Sequence, residues 1–238
     1  MTAHVPIEVI AHRGASGTCP ENTLAAFRRA EALGAHMIEL DVQLTRDGEV
    51  VVMHDDTLER TTDGHGPVGR CTLAELRRLD AGSWFAVELA GERVPTLAEV
   101  LDVVRLPLNV ELKAGGDTGL VARALAVVED AGALGRVVFS SFDPEVLLRL
   151  RALTADADLG VLWTRPGLAP ALDLARRVAA RGLHLRKTAA LPKSLAAARE
   201  AGLSIRLWTV NEPREFAPLQ AAGATGVFTD YPERFLLL

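Results

Sequence analysis

Cysteine is nearly absent: the 238 residues hold only Cys19 and Cys71, with no second thiol at CxxC spacing. Two isolated thiols neither staple a secreted scaffold nor build structural zinc, and they fit a reducing cytoplasm. No Lys/Arg-rich run occurs, and 26 basic against 31 acidic residues leave a net charge of −5. Nucleic acid held by counterion release is therefore not an expected partner. No stretch of about 18 uncharged apolar residues appears, and MTAHVPIEVI lacks a basic region followed by a long apolar one. The chain is expected to be cytoplasmic, unexported and without stable membrane insertion. Two fingerprints are also missing, a Gly-rich dinucleotide-binding turn between a strand and a helix, and GxSxG. Their absence disfavours a dinucleotide-binding doubly wound sheet and a serine hydrolase.

What is present suffices for a sizeable core, with 49% hydrophobic and 24% charged residues. Eight short β-branched runs are centred near Ile10, Ile38, Val110, Val138, Val161, Leu185, Leu207 and Val227. Between them lie Ala/Leu/Arg-rich segments of helical period, at Thr23 to Leu33, Leu120 to Ala131, Pro144 to Leu153, Pro170 to Arg181 and Pro192 to Ala201. Asn22 reads as an N-cap, Pro144 and Pro192 as first-turn prolines, and Gly34, Gly132 and Gly202 as helix stops. Eight βα units in a chain of about 200 to 250 residues predict a TIM (β/α)8 barrel. Residues 1–238 are expected to form one domain.

A ninth run, Val50 to Met53, follows Thr45-Arg46-Asp47-Gly48. Asp-Gly between alternating segments favours a hairpin, so this run folds back on the second strand instead of entering the barrel, and His54 returns toward Asp41. The Gly/Thr/Asp-rich stretch of approximately 55–95, with a short helical segment at Thr72 to Leu79, reads as a small insert that lids the site.

Strand alternation assigns chemistry to one face. Ile38, Leu40 and Val42 share one side, leaving Glu39, Asp41 and Gln43 inward; Leu108, Val110 and Leu112 leave Asn109, Glu111 and Lys113 inward. Three carboxylates, Glu39, Asp41 and Glu111, thus converge at the end where barrel active sites lie. Such a set repels itself unless a cation intervenes, and oxygen ligands suit Mg²⁺ or Ca²⁺ better than zinc. A solvated edge strand, for Glu39 and Asp41, and a simple Glu111-Lys113 ion pair are the alternatives. His12 ends the first strand, and Arg13 opens a glycine-containing loop leading to a helix N-terminus, a place suited to phosphate. With His54 folded back to the same mouth, two imidazoles are available as general acid and base. His4, His36, His65 and His184 carry no assigned role. Trp208 is read as pocket-lining or as core, and Ser140-Ser141-Phe142 is equally open.

Together, His12-Arg13-Gly14, Pro20-Glu21-Asn22-Thr23, Glu39-Leu40-Asp41-Val42, Thr45-Arg46-Asp47-Gly48, Val51-Val52-Met53-His54-Asp55, Leu58-Glu59-Arg60-Thr61-Thr62, Pro95-Thr96-Leu97, Glu111-Leu112-Lys113, Trp208-Thr209-Val210-Asn211 and Thr229-Asp230-Tyr231-Pro232 resemble the glycerophosphodiester phosphodiesterases. The ordered set spans essentially the whole chain. The resemblance implies a TIM barrel, a divalent cation, Mg²⁺ or Ca²⁺, and hydrolysis of glycerophosphodiesters, such as glycerophosphocholine or glycerophosphoethanolamine, to glycerol 3-phosphate and an alcohol. It implies His12 and His54 as the acid/base pair, Glu39, Asp41 and Glu111 as metal ligands, and Arg13 and Lys113 as phosphate contacts. Leu183 to Thr188 does not align with the family pattern. Water or the adjacent glycerol hydroxyl serves equally as the attacking group, and either histidine as the base. Related phospholipase D toxins share the layout but act on lipids. Two further readings use the same residues: a Schiff-base aldolase with Lys113 as nucleophile, and a non-catalytic phosphoester-binding barrel.

Overall fold

Parallel strands require long crossovers, and the Ala/Leu-rich segments supply one between each successive pair. The computed structural model describes residues 7–113, 119–165 and 167–236. His4, with the rest of residues 1–6, lies outside them. The strands are β1 (Glu8–His12), β2 (Met37–Leu44), β3 (Val50–Val52), β4 (Leu108–Leu112), β5 (Val137–Ser141), β6 (Asp158–Trp163), β7 (Gly182–Arg186), β8 (Ser204–Trp208) and β9 (Gly226–Thr229). β1 pairs in parallel with both β2 and β9, which closes eight of them into a parallel barrel, the TIM fold. β3 stands outside the barrel. It runs antiparallel to β2, with Val42 opposite Val52 and Leu44 opposite Val50. Gly48 at φ 82° takes the left-handed position of the turn, where a side chain would be strained.

The helices are α1 (Leu24–Leu33), α2 (Leu73–Leu76), α3 (Leu97–Val103), α4 (Gly119–Asp130), α5 (Pro144–Leu153), α6 (Ala169–Arg177), α7 (Pro192–Glu200), α8 (Pro213–Ala221) and α9 (Glu233–Leu236). Several differ from expectation. Thr23, not Asn22, caps α1 by accepting from the Ala26 N–H, because the Asn22 side chain is committed to Asp41. α6 stops at Arg177 instead of Arg181, where Ala179 turns to φ 48°. α3, α8 and α9 are additional to the helical segments named from the sequence, and α3 begins with a Thr96/Glu99 capping box.

The outward residues of β2 and β4 pack with Phe27, Ala30, Val100 and Val121 in the main apolar cluster between sheet and helices. Each such side chain contributes about 1.5 to 3 kcal/mol of burial. Inside the barrel, Ile10, Met37, Val138 and Phe228 form a second cluster beneath Trp208. Beside it sits His184, wholly buried, its Nε2 3.2 Å from Arg206 Nη1. Arg206 in turn donates from Nε to Glu8 at 2.7 Å. Gly160 and Gly182 exist to make that room, since a Cβ at either position would run into the His184 ring. The segment after β3 carries its own apolar cluster of Val51, Met53, Leu58, Val68, Leu76, Ala81 and Val94. Among the described residues no helix is long and apolar enough to cross a membrane.

Candidate active site

Parallel pairing sets Glu39 beside Asn109 and Asp41 beside Glu111, so the inward parity of β2 and β4 brings the carboxylates together. One oxygen each from Glu39, Asp41 and Glu111 lies within 4.8 Å of the others, and all three residues are buried. Burial and repulsion from Asp41 and Glu111 push Glu39 well above the ordinary carboxylate range. Burial and Asp41 likewise push Glu111 up to about 7. Asp41 moves the other way: burial opposes ionisation, but Lys113 and Arg13 outweigh it. The Lys113 ammonium lies 2.7 Å from Asp41 Oδ1 and 2.6 Å from Glu111 Oε1, so the ion-pair alternative exists, widened to a second acid. Burial would strip the Lys113 proton, yet Asp41 and Glu111 hold it and raise the pKa above its ordinary value. An ammonium clamped between two carboxylates is a poor nucleophile, which weighs against the aldolase reading. The donor set is three buried carboxylates, with no thiol or imidazole ligand, and it fits a hard divalent cation.

Arg13 follows β1 at φ 59°, and the Gly14 position lies so close to α1 that a Cβ would meet Ala26 at 2.7 Å. That tight loop turns Arg13 onto the acidic cluster. Its backbone N–H donates to Glu39 at 2.9 Å, Nη1 donates to Glu21 at 2.7 Å, and Nε stands 3.4 Å from Asp41 Oδ2. Asn22 Nδ2 donates to the same Asp41 oxygen at 2.9 Å.

Each histidine leans on an aspartate. His12 Nδ1 is 2.7 Å from Asp230 Oδ1, while Asp230 also accepts from Ser16 Oγ at 3.1 Å and Asn211 Nδ2 at 2.7 Å. Burial opposes the Asp230 charge, but the His12 bond and these donors hold its pKa at about 2. His54 Nδ1 is 2.6 Å from Asp55 Oδ1, and Arg60 grips both oxygens of Asp55. Burial lowers the His54 pKa; Asp41 opposes this, and the Arg13 and Lys113 charges add to it. Because a carboxylate only accepts, both rings carry their proton on Nδ1 and leave Nε2 for chemistry.

A cavity of about 120 Å³ is lined by His12, Arg13, Glu39, His54, Asn109, Glu111 and Lys113, with Phe142, Leu162, Trp208 and Phe228 as an apolar side. Trp208 meets Phe142 edge to face at 5.5 Å and donates from Nε1 to the His184 carbonyl, so it lines the cavity as well as packing. Asp41 is buried and is not among the lining residues, but it contacts Lys113 and Arg13, which are. Ser141 donates to the Leu112 carbonyl, Ser140 accepts from Asn109 Nδ2, and neither is among the residues lining the cavity. His36 accepts from the Val9 N–H, a structural role, and His65 lies away from the cavity lining. Reading residues by type passed over Glu21, Asp55, Arg60, Asn211 and Asp230, although every one falls within a quoted motif. Phe142, left open together with Ser140 and Ser141, is the member of that run that lines the cavity.

Residues 12–234 match the Glycerophosphoryl diester phosphodiesterase family. A glycerophosphodiester phosphodiesterase of Caldanaerobacter subterraneus subsp. tengcongensis is 38% identical over 235 residues, covering 97% of this chain and 96% of that one. An Oleispira antarctica phosphodiesterase, solved with its product sn-glycerol-3-phosphate, superposes with a TM-score of 0.91 at 34% identity, covering 97% of this chain and 95% of the other. The Thermotoga maritima glycerophosphodiester phosphodiesterase superposes at 0.80 with 29% identity, covering 98% and 99%. With the same barrel, an acidic cluster in its mouth and matched sequence from His12 onward, the chain belongs to the glycerophosphodiester phosphodiesterase family of phosphoric diester hydrolases.

Proposed function

We propose that this cavity hydrolyses small glycerophosphodiesters, such as glycerophosphocholine or glycerophosphoethanolamine, to glycerol 3-phosphate and an alcohol. The observation that carries this reading is the placement of two aspartate-supported histidines on one cavity with the three-carboxylate cluster. The Oleispira antarctica product complex supports the glycerol phosphate half of the substrate. Glu39, Asp41 and Glu111 hold a divalent cation, Mg²⁺ or Ca²⁺, which when bound supplies Lewis-acid stabilisation of phosphoryl charge. Arg13 and Lys113 bind the phosphodiester and offset its negative charge, which otherwise repels a nucleophile. One of His12 and His54 takes a proton at Nε2 from the attacking hydroxyl; the other gives one to the departing alkoxide. Trp208 lines the substrate space on the apolar side.

The test is release of glycerol 3-phosphate from glycerophosphocholine, with Mg²⁺ or Ca²⁺ and with chelator. Activity should vanish with chelator and return with the ion. His12→Ala and His54→Ala should each lower kcat by about 10²- to 10⁴-fold with little change in KM. A nitrophenyl ester, whose leaving group needs little protonation, should rescue only the acid variant. Both alanine variants working within a few-fold of the parent would overturn the assignment.

A further inference from the structure

Beyond His54 and Asp55, the segment after β3 brings one more side chain, Arg60, to the edge of the site. Leu58, Thr61 and Thr62 are buried, and Thr62 closes the turn by donating from both N and Oγ1 to the Leu58 carbonyl. This turn presents Arg60 to two carboxylates at once. Its Nη1 and Nη2 donate to the two oxygens of Glu21 at 2.7 and 2.8 Å. Its Nε and Nη2 donate to the two oxygens of Asp55 at 2.6 and 3.0 Å. Both edges of the planar guanidinium are therefore engaged in paired bonds, a geometry an ammonium cannot reproduce.

Each carboxylate passes the constraint to a residue on the cavity. Glu21 Oε1 accepts from Arg13 Nη1 at 2.7 Å, and Asp55 Oδ1 faces His54 Nδ1 at 2.6 Å. The chain His54, Asp55, Arg60, Glu21, Arg13 is thus continuous through hydrogen bonds, and Arg60 is its only member from beyond Asp55 in the insert. We infer that Arg60 is a positioning residue for the reaction, fixing the His54 ring through Asp55 and the Arg13 guanidinium through Glu21. Removing it lets His54 turn and Arg13 drift while every group that touches substrate remains. The inference rests on the roles proposed above for His54 and Arg13.

The two branches separate in kinetics. Glu21→Gln should act mainly on KM, since Arg13 binds phosphate; Asp55→Asn should act mainly on kcat, since His54 moves a proton. Arg60→Gln should do both and lower kcat/KM by about 10- to 100-fold, as for other supporting hydrogen-bond partners. Arg60→Lys, which restores charge without the fork, should recover only part. Because the Arg60 side chain is 43% exposed, added guanidinium should restore activity to Arg60→Ala. The reading independent of turnover is ¹⁵N NMR of the His54 imidazole. The parent should show a single Nδ1-protonated ring, and Arg60→Gln a mixture of tautomers. Arg60→Gln with parental KM and kcat, or with an unchanged His54 spectrum, would overturn the inference, and Arg60→Lys decides it in the same way if the glutamine variant does not fold. His54→Ala run in parallel keeps the two readings apart: a fully active His54→Ala defeats the acid/base reading, whereas its loss beside a normal Arg60→Gln defeats this one alone.

Discussion

Asp230→Asn is the substitution whose outcome the geometry fixes most sharply. Asn211 Nδ2 donates to Asp230 Oδ2 at 2.7 Å, so an amide at position 230 must turn its oxygen toward Asn211. Its NH₂ then faces His12 Nδ1, where the carboxylate had stood at 2.7 Å. The imidazole must now accept at Nδ1 and carry its proton on Nε2, which blocks a base and leaves an acid's imidazolium without its counter-charge. Either role fails, so the expectation does not depend on which histidine is the base.

The lost attraction between imidazolium and carboxylate, at a charge separation of about 4 Å and an effective dielectric near 20, is about 4 kcal/mol, or about three orders of magnitude in rate. The two side chains are 19% and 28% exposed, and solvent screening trims that figure. Asp230→Asn should therefore lower kcat on glycerophosphocholine by about 10²- to 10³-fold with KM within about threefold. Asp230→Ala, which leaves the ring free to choose its tautomer, should be the milder variant despite its larger change in shape. Steady-state kinetics on both, with a melting curve to confirm folding, makes the comparison. An asparagine variant milder than the alanine one, or within about threefold of the parent, would refute the tautomer argument.

Three further expectations concern the cation cluster and the barrel floor. In calorimetric titration of Mg²⁺ and Ca²⁺, Glu39→Ala and Glu111→Ala should lose most of the binding heat; unchanged isotherms would remove the site. Burial and the Arg206 charge hold the His184 pKa well below its ordinary value, so the folded barrel keeps this ring neutral. An unfolded histidine takes up a proton below about pH 6.5, so this contribution is fully present above that pH and is lost as pH falls, by up to about 1.4 kcal/mol per unit. Urea melts at descending pH should show a shallower acid loss in His184→Gln than in the parent, and parallel curves would contradict the assignment. Gly160→Ala should cost about 1 to 3 kcal/mol in the same melts, because its Cβ overlaps the His184 ring.

What the sequence disclosed was whatever depends on local period. Side-chain alternation in Ile38 to Val42 and Leu108 to Leu112 separates helix-facing from inward residues without reference to anything distant, and Asp47-Gly48 announces the hairpin by its turn chemistry. Adjacent cap formers were less legible. Asn22 and Thr23 both suit an N-cap, and the choice is made by Asp41, which claims the asparagine from 19 positions away. The histidine partners depend on closure. Asp230 lies 218 positions from His12 and meets it because β9 pairs with β1; Glu21 and Arg60, 39 positions apart, meet only once the insert is folded. Periodicity has no means of joining such pairs.

Charge in the mouth explains why these partners must be present together. Glu21, Glu39, Asp41, Asp55 and Glu111 are linked by direct contacts to Arg13, Arg60 and Lys113, and Asp230 stands against His12, so permanent cations are outnumbered by acids. An anionic diester entering that surplus would be repelled. Protonation relieves it only partly: Glu39 and Glu111 are raised, while Asp41, Asp55 and Asp230 are held ionised by their own donors. Outside the cluster, Asp55 and Asp230 resist protonation where negative charge fixes a histidine tautomer, and Glu21 resists it between Arg60 and Arg13. The acids that are raised, Glu39 and Glu111, border Asp41 in the cluster. A divalent cation held by Glu39, Asp41 and Glu111 would restore ionisation to those two and would cancel the surplus where the proposed phosphodiester arrives, leaving the histidine-bound aspartates charged. Removing the cation should therefore defeat substrate binding as well as turnover, whereas removing Asp230 defeats turnover alone.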